Sequence, residues 1–466
     1  MLFAYLFQII AQLLYMSSQP NILYFVCHDL GKHLGCYGNP IHTPNLTRFA
    51  QQGIQFERAY CTAAACSPSR ACAMTGQYAN QSGALGLAHM GWPLDESVST
   101  VIEDLRDAGY QTAHAGLAHE WHPNSKRYEV EMARHWDDWQ ARNAVDDAIH
   151  FLKTRKDSRP FYLNVGTLEV HASRFTQPDV VDHVYGGRVP PEDTYLPAYI
   201  EDTEANRHFM GGFQSAIEYM DGEFQRLIDA LDACGEAENT FVVFTTDHGI
   251  STPDVYRSKA TCFERGMEIS LLIRPPQGYH AGYKVSHLIP NLDFRATFND
   301  IAGHPIPAES EGRSFLPLLN GDAYQPHERL YTERNFHGEK TAGAEQHEDI
   351  CDPLRSIHTD QYHYIRCFDA EMKESPDPWL LHSPANRKRE REYLFDLNED
   401  KMELVNLVHR PEHRHVLNEM RSKLEEWMYS TDDWILSGAP PQPPEPPGWG
   451  DWPKQESRTP WQPFSS

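Results

Sequence analysis

The stretch Pro20-Asn21-Ile22-Leu23-Tyr24-Phe25-Val26 is followed directly by Cys27-His28-Asp29-Leu30-Gly31. The first seven residues are mostly apolar and rich in strand-forming side chains, which predicts a buried strand. The next five are polar and end in glycine, as a loop after a strand does. The sequence therefore predicts a core strand that delivers His28 and Asp29 to the edge of a sheet.

A second apolar run, residues 240–246, ends in Asp247-His248-Gly249 and predicts another core strand. Between the two runs, helical and strand patterns alternate, and apolar residues recur at three- and four-residue steps from Asn206 to Ala233. Such alternation predicts an α/β fold with a mostly parallel sheet flanked by helices. Ligands of open α/β sheets bind at the carboxyl ends of the strands, so we expect Asp29 and Asp247 to lie close together.

The third feature is a predicted helix that begins with Cys66-Ser67-Pro68-Ser69-Arg70 and continues to Gly76. Pro68 suits the first turn, and Ser67 is predicted to cap the helix. The free N–H groups of such a helix start favour an anion. The alternative interpretation is a buried, unreactive cysteine in a helix of small residues.

Taken together, these motifs resemble the sulfatase family of the alkaline phosphatase superfamily, and in style the heparan N-sulfatase (sulfamidase-like) members. The resemblance spans about residues 20 to 430 and implies a large α/β domain with a smaller C-terminal α+β subdomain that contains an antiparallel sheet. It also implies that a formylglycine-generating enzyme oxidises Cys66 to formylglycine (3-oxoalanine). One hydroxyl of the hydrated aldehyde then attacks sulfur, as in covalent catalysis.

The resemblance also assigns a metal site for Ca²⁺ or another divalent cation. Its members are Asp29, Asp247, His248 and the oxygen derived from Cys66. His28 stands where the family has its first acid and is a further candidate, although calcium sites rarely use histidine.

Catalytic roles follow from the same resemblance. Lys259 falls where a family lysine contacts the sulfate oxygens, and Arg70 is expected to neutralise the aldehyde hydrate and support the metal region. His171 corresponds to the histidine that protonates the leaving group, and His119 to the one that holds the nucleophilic hydroxyl.

Leu117 departs from this pattern, because the family has a second sulfate-binding lysine at that position. Either Lys259, Arg70 or another cation such as Arg174 or His122 compensates, or the pocket accepts a different leaving group.

Composition restricts the partners. With 41 basic and 66 acidic residues the formal charge is −25, which disfavours nucleic acid and favours a small sulfated substrate, such as a sulfated sugar unit, in a locally basic pocket. Nine cysteines without a Cys-x-x-Cys pair indicate neither a zinc ribbon nor a dense disulfide framework.

We predict four segments: a signal peptide or disordered start at 1–19, a catalytic sulfatase domain at 20–325, a C-terminal subdomain at 326–436 and a Pro-rich tail at 437–466. The apolar start favours export to the periplasm, a lysosome or the medium, with a cytoplasmic enzyme as the alternative, and it is too short for a stable membrane span.

The sequence thus predicts hydrolysis of a sulfate ester or sulfamate, with formylglycine and a divalent metal. Two alternatives stay open. One is a phosphonate monoester or phosphodiester hydrolase of the same superfamily, and the other is an inactive sulfatase-like binding protein. The sugar, its sulfated position and the oligomeric state are not determined at this level.

Overall fold

A computed structural model of the chain describes residues 19–122, 125–132, 140–252, 258–277, 279–339, 348–368, 390–438 and 440–444. Residues 1–18 of the predicted leader and residues 445–466 of the predicted tail lie outside this range. None of the helices described here has the length and continuous apolar character that crossing a membrane would require.

The larger sheet contains nine strands. They are β1 (Asn21–Cys27), β2 (Ile54–Tyr60), β3 (Gln111–Gly116), β4 (Val130–Met132), β5 (Phe161–Gly166), β6 (Thr240–Thr246), β7 (Glu268–Arg274), β8 (Tyr283–Val285) and β9 (Ile289–Pro290). Their order is β4-β3-β5-β1-β6-β7-β2-β8, with β9 also paired to β2. Only β7 runs antiparallel to its neighbours, so the prediction of a mostly parallel sheet is confirmed.

The α-helices of the described residues include those that cover both faces of this sheet and one that packs on the C-terminal sheet. They are α1 (Pro44–Gln52), α2 (Cys66–Thr75), α3 (Ala79–Ser82), α4 (Val101–Asp107), α5 (Ala141–Thr154), α6 (Ala172–Phe175), α7 (Pro178–His183), α8 (Glu204–Ala233), α9 (Glu264–Met267), α10 (Asp293–Ile301), α11 (Leu316–Asn320) and α12 (Arg414–Ser430). Short 3₁₀ turns lie at Gly35–Tyr37, Ala88–Met90, Ala237–Asn239, Pro411–His413 and Trp434–Ser437.

The apolar stripe predicted between residues 206 and 233 is the buried face of α8. Phe224 from this helix packs edge-on against Phe25 of β1 and Phe244 of β6, with ring centroids 5.2 Å apart in both pairs. On the other face of the sheet, Phe294 and Phe298 of α10 pack against Tyr24. Alternate side chains of β1 therefore enter two separate cores, which explains why the strand is apolar throughout.

A second, four-stranded antiparallel sheet follows in the order β10 (Arg329–Glu339), β11 (Glu348–Thr359), β12 (Tyr362–Cys367) and β13 (Glu392–Asp396). Strands β11 and β12 form a hairpin in which the chain turns at Asp360 and Gln361. Helix α12 packs on this sheet through Leu417, Leu424 and Trp427. These observations confirm the α/β class with an antiparallel C-terminal sheet, while the division at residues 325 and 326 remains a proposal.

The C-terminal sheet lies directly against the segment before α2. The amide of Ala64 donates to the carbonyl of Glu333, and the amide of Glu333 donates to the carbonyl of Thr62. Farther along β10, the amide of Phe336 donates to the carbonyl of Leu85. Strand β10 therefore runs beside the chain that leads into the Cys66 helix.

Candidate active site

The site lies at the carboxyl ends of β1 and β6, which are parallel neighbours with Cys27 opposite Thr246. Because both strands end at the same level, the residues that follow them meet. The amide of Asp29 donates to Oδ1 of Asp247 over 3.0 Å. The expectation that these two acids lie close together is confirmed.

Helix α2 brings Cys66 and Arg70 to the same edge of the sheet. Arg70 donates from Nε to Oδ2 of Asp247 over 3.1 Å and from Nη2 to the carbonyl of Cys27 over 3.3 Å. Ser69 donates its hydroxyl to the carbonyl of Asp247. The start of α2 is thereby tied to the ends of both β1 and β6.

The capping prediction for this helix is wrong. Ala65 is the N-cap residue, in extended conformation, and no side chain caps the helix. Ser67 lies one residue inside the helix, where its Oγ accepts a hydrogen bond from the amide of Ala88 at 2.9 Å. Its role is therefore to hold the loop that follows α3, and the first N–H groups of α2 are left without a side-chain cap.

Five buried side chains converge so that their ligand atoms lie within 4.8 Å of one another: His28, Asp29, Cys66, Asp247 and His248. Nδ1 of His28 lies 2.6 Å from Oδ1 of Asp29 and 3.2 Å from Oδ2 of Asp247. Nε2 of His248 lies 3.2 Å from Sγ of Cys66. The cluster is the set predicted as metal ligands from sequence, and it could hold a metal ion.

The tautomer of His248 follows from its surroundings. Nδ1 lies 2.9 Å from the carbonyl oxygen of Gly249, which accepts hydrogen bonds only, so Nδ1 is the donor. Nε2 of His248 is therefore the ring atom available to an ion, as in a metal-binding histidine that is oriented by a backbone carbonyl.

Charge is concentrated in this cluster. For Asp29, burial raises the pKa, but Lys259, His171 and His28 outweigh that effect and hold it well below its ordinary value. Burial likewise opposes ionisation of the Cys66 thiol, yet His28, His248 and Lys259 hold its pKa well below that of a free cysteine. The surroundings therefore favour anions at both positions.

The same neighbouring charges shift the pKa of His28. Burial lowers the pKa of His28, but Asp247, Cys66 and Asp29 overcome it and raise the pKa to about 10. In this arrangement the protonated imidazole supplies positive charge between the two carboxylates. That is the position the family's first acid would fill with negative charge.

Lys259 and His171 lie next to Asp29 at the edge of this cluster. Nζ of Lys259 lies 2.7 Å from Oδ2 of Asp29 and 3.0 Å from Nε2 of His171. Burial, followed by the neighbouring ammonium of Lys259, lowers the pKa of His171 to about 3. Its side chain is 23% exposed, so of these side chains it reaches farthest towards solvent.

His119 approaches from the loop after β3, where its ring centroid lies 6.4 Å from that of His28 and its interaction with the Cys66 thiol helps to lower the pKa of that thiol. Leu117, in place of the expected lysine, is buried. Among the cations considered as its replacement, Arg70 and Lys259 lie at the cluster, whereas Arg174 interacts with Glu169 and Tyr185.

The sequence did not indicate two further residues that lie near the site, His89 and His337. His89, on the 3₁₀ turn after α3, places Nδ1 2.9 Å from Nε2 of His119. His337 of β10 is buried, and Arg334, Lys259, Cys66 and His248 interact with it electrostatically. Neither residue belongs to a recognised motif, and both reach the site through tertiary packing.

A second group of carboxylates and imidazoles lies where α9 meets the C-terminal sheet. Nε2 of His358 lies 2.9 Å from Oε2 of Glu264, whose Oε1 accepts from Tyr60, and Nδ1 of His363 contacts Oε1 of Glu403. Oε2 of Glu403 accepts from the amide of Glu264. Each of the four carboxylate oxygens already has a partner, so this group acts as an ion-pair junction between the two sheets.

Comparison with known proteins agrees with this geometry. A family model described as Sulfatase matches residues 20–304, more than half of the chain. The chain belongs to the sulfatase family. A second model, described as N-sulphoglucosamine sulphohydrolase, C-terminal, matches residues 255–430. The protein is accordingly a sulfuric ester hydrolase, and its C-terminal part is similar to that of N-sulphoglucosamine sulphohydrolases.

Curated relatives extend over nearly the whole chain. An ulvan-active sulfatase of Formosa agariphila is 26% identical over 442 residues, covering 91% of this sulfatase and 82% of the relative. Human N-sulphoglucosamine sulphohydrolase is 24% identical over 476 residues, covering 90% of this chain and 91% of the relative.

Solved structures share the fold. A protein determined in complex with its substrate D-glucosamine-2-N,6-O-disulfate gives a TM-score of 0.69 at 19% identity, covering 89% of this chain and 99% of that one. A phosphonate monoester hydrolase of Agrobacterium radiobacter gives a TM-score of 0.67 at 19% identity, covering 90% of this chain and 97% of that one. The fold is thus shared with a phosphonate monoester hydrolase, while the family model and the curated relatives support the sulfatase assignment for this chain.

Proposed function

We propose that this sulfatase removes a sulfo group from a small sulfated sugar, using residue 66 after its oxidation to formylglycine. The observation that carries the proposal is the position of Cys66. It opens a buried helix, and its Sγ lies 3.2 Å from Nε2 of His248, within the cluster that contains both carboxylates. When formed, the aldehyde supplies the hydroxyl nucleophile, which a cysteine does not have.

The residues present fit a divalent cation. Two carboxylates, Nε2 of His248 and residue 66 surround one point, and Nη1 of Arg70 is buried there without a hydrogen-bond partner. A bound ion would supply Lewis-acid charge at the sulfo group. Calcium is the family's ion, but the imidazole of His248 beside two carboxylates also suits Mn²⁺ or Zn²⁺.

Each remaining side chain has a role that its contacts support. Lys259, between Asp29 and His171, would contact the sulfo oxygens as a compact positive charge. His171, with its ring at the open side and its Nδ1 paired with Ser173, would protonate the departing oxygen or nitrogen once the bound sulfo group, an anion beside the ring, raises its pKa from about 3. His119 would hold the nucleophilic hydroxyl, and Arg70 would keep Asp247 ionised and oriented.

The substrate proposal rests on electrostatics together with the relatives. A chain of net charge −25 repels polyanions at long range, so a short or terminal sulfated unit is favoured over a long polymer. Two of the proteins similar to this chain bear names or ligands that refer to N-sulfated glucosamine. We therefore place a sulfated amino sugar first, as an N-sulfamate or an O-sulfate ester.

A direct competition assay tests the reaction type. The protein, co-expressed with a formylglycine-generating enzyme, is given an aryl sulfate and the matching aryl phosphonate monoester, with Cys66→Ala as the control for contaminating activity. We expect sulfate turnover to dominate, and a preference for phosphonate would overturn the proposal. Glucosamine sulfated only at N2 or only at O6 then separates sulfamate from ester cleavage.

Maturation and export belong to the same proposal. Peptide mass analysis of the Cys66 segment after that co-expression should show the aldehyde, and an unmodified cysteine would argue against a formylglycine mechanism. Cell fractionation in the native host checks export.

A further inference from the structure

Asn291 directly follows β9, and its buried side chain contacts the helix that carries residue 66. Its Nδ2 donates to the carbonyl oxygen of Ser69 over 2.9 Å and to Oγ of Ser69 over 3.1 Å. Its Oδ1 accepts from the amide of Thr62 at 3.0 Å and from Oγ1 of Thr62 at 2.9 Å. The side-chain amide therefore makes four hydrogen bonds, which is its full capacity.

The direction of these hydrogen bonds is decided by main-chain partners. The amide of Thr62 can only donate and the carbonyl of Ser69 can only accept, so Oδ1 of Asn291 faces the first and Nδ2 faces the second. The hydroxyl of Ser69 donates to the carbonyl of Asp247, so it accepts the hydrogen bond from Asn291. The hydrogen bonds therefore run in one fixed direction, from Asn291 through Ser69 to Asp247.

The contact between Ser69 and Asp247 joins the two elements that form the site. Asp247 and His248 follow β6, whereas residue 66 begins α2. Ser69 and Arg70 of α2 both bind Asp247, the first at its carbonyl and the second at Oδ2. These links hold Nε2 of His248 within 3.2 Å of the side chain at position 66.

We propose that Asn291 is a positioning residue, which holds Ser69 so that the nucleophile helix keeps its place against Asp247 and His248. The inference rests on the proposed function, because that function assigns the metal and the nucleophile to these residues. Partners behind the ligands of a metal usually orient them and tune metal affinity.

The position specifically suits asparagine. An aspartate would keep the two acceptor contacts to Thr62, but it would lose both donors and would face the carbonyl of Ser69 with a negative charge. An alanine would lose all four contacts and leave buried main-chain groups without this partner. The two substitutions therefore remove the link to Ser69 in different ways.

Asn291→Asp and Asn291→Ala are the variants that test this role. We expect the dissociation constants of Ca²⁺ and Mn²⁺, measured by calorimetry on the metal-free protein, to rise about 10-fold in both variants. The kcat for an aryl sulfate, normalised to formylglycine content, should fall by a similar factor. KM should stay nearly unchanged, because Lys259 and His171 take their positions from other contacts.

A double-mutant cycle separates the route through Ser69 from a general loss of packing. Ser69→Ala removes the hydroxyl that reaches Asp247 and keeps the carbonyl that Asn291 binds. If Asn291 acts through that hydroxyl, Asn291→Ala should weaken metal binding less in the Ser69→Ala protein than in wild type. Independent, multiplicative losses in the double variant would overturn the inference.

Asn299→Ala is the matched control. Asn299 is also fully buried, on α10, and its amide donates to Oδ2 of Asp104 over 2.9 Å. We expect a lower melting temperature in this control, with metal affinity and kcat unchanged. Metal affinity that falls equally in the control and in the Asn291 variants, or that stays constant in the Asn291 variants, would contradict the positioning role.

Two further outcomes are also decisive. If neither Asn291 variant folds, Ser69→Ala alone tests the link, and an unchanged dissociation constant in that variant would refute it. A wild-type enzyme that binds metal but does not turn over sulfate esters or sulfamates would refute the proposed function. The dissociation constants would then still decide the role of Asn291, so the two failures are distinguishable.

Discussion

Arg70 donates to Oδ2 of Asp247 over 3.1 Å, although 177 residues separate the two in the chain. Both side chains are buried, and Arg70 also holds the carbonyl that ends β1. One guanidinium therefore links the nucleophile helix to both strands that present acids. Charged groups buried in this way are costly to separate, so changing either partner should disturb the whole site.

Asp247→Asn should lower metal content and turnover together. The amide is a weaker ligand than a carboxylate and leaves the Arg70 charge uncompensated. Elemental analysis of the purified variant, beside its activity on an aryl sulfate, measures both effects. Unchanged metal content would remove Asp247 from the ligand set.

Cys66→Ala should abolish turnover while the fold persists. The thiol contributes to the small cluster with Leu87 and Met90, and removing one sulfur from it costs about 1 kcal/mol. Circular dichroism and the melting temperature should stay near those of the unmodified enzyme. Residual multiple turnover above the background of the assay would refute the nucleophile assignment.

His28→Asp should shift the metal preference towards Ca²⁺. The imidazole now lies 2.6 Å from Asp29 and 3.2 Å from Asp247, where a third carboxylate would add a hard oxygen ligand. Competition of Ca²⁺ against Mn²⁺ and Zn²⁺, followed by calorimetry on wild type and variant, measures the shift. Identical preferences in both proteins would show that residue 28 does not contact the ion.

Lys259→Met should reduce kcat/KM about 100-fold, because the long apolar side chain keeps the packing and removes the charge facing the sulfo group. That change corresponds to about 2.7 kcal/mol in the transition state. Lys156→Met, at an exposed lysine, is the matched control. Equal activity of the two variants would exclude Lys259 from substrate binding.

Asp433→Ala should destabilise the C-terminal subdomain. Asp433 accepts from Nε and Nη2 of the buried Arg355 at 2.5 and 2.9 Å. Removing one member of a buried ion pair costs about 3 to 5 kcal/mol. Urea unfolding monitored by tryptophan fluorescence checks this value, and a loss below about 1 kcal/mol would contradict the expected role of the pair.

Local patterns were sufficient for the elements that carry the acids. Strands β1 and β6 are continuous apolar runs that end in polar residues, so Asp29 and Asp247 could be assigned to strand ends. The Cys66 pentapeptide could likewise be assigned to a helix start. In each case the information lies within about ten consecutive residues, because periodicity and turn chemistry are local properties.

The cap of α2 was mispredicted for a related reason. A serine near a helix start resembles a cap, but here the hydroxyl of Ser67 bonds the amide of Ala88, which belongs to a later loop. The competing partner becomes visible only when the two segments are packed together.

The sequence by itself determined the α/β class, the strand-end acids, the cysteine at a helix start and the sulfatase resemblance, because these depend on neighbouring residues and on motif spacing. Only the tertiary structure decided that His89 faces His119, that β10 brings His337 towards the nucleophile, and that Arg70 joins Asp247. Those contacts join segments far apart in the chain. Packing and hydrogen bonding across the fold set their distances, and no local pattern in the sequence encodes them.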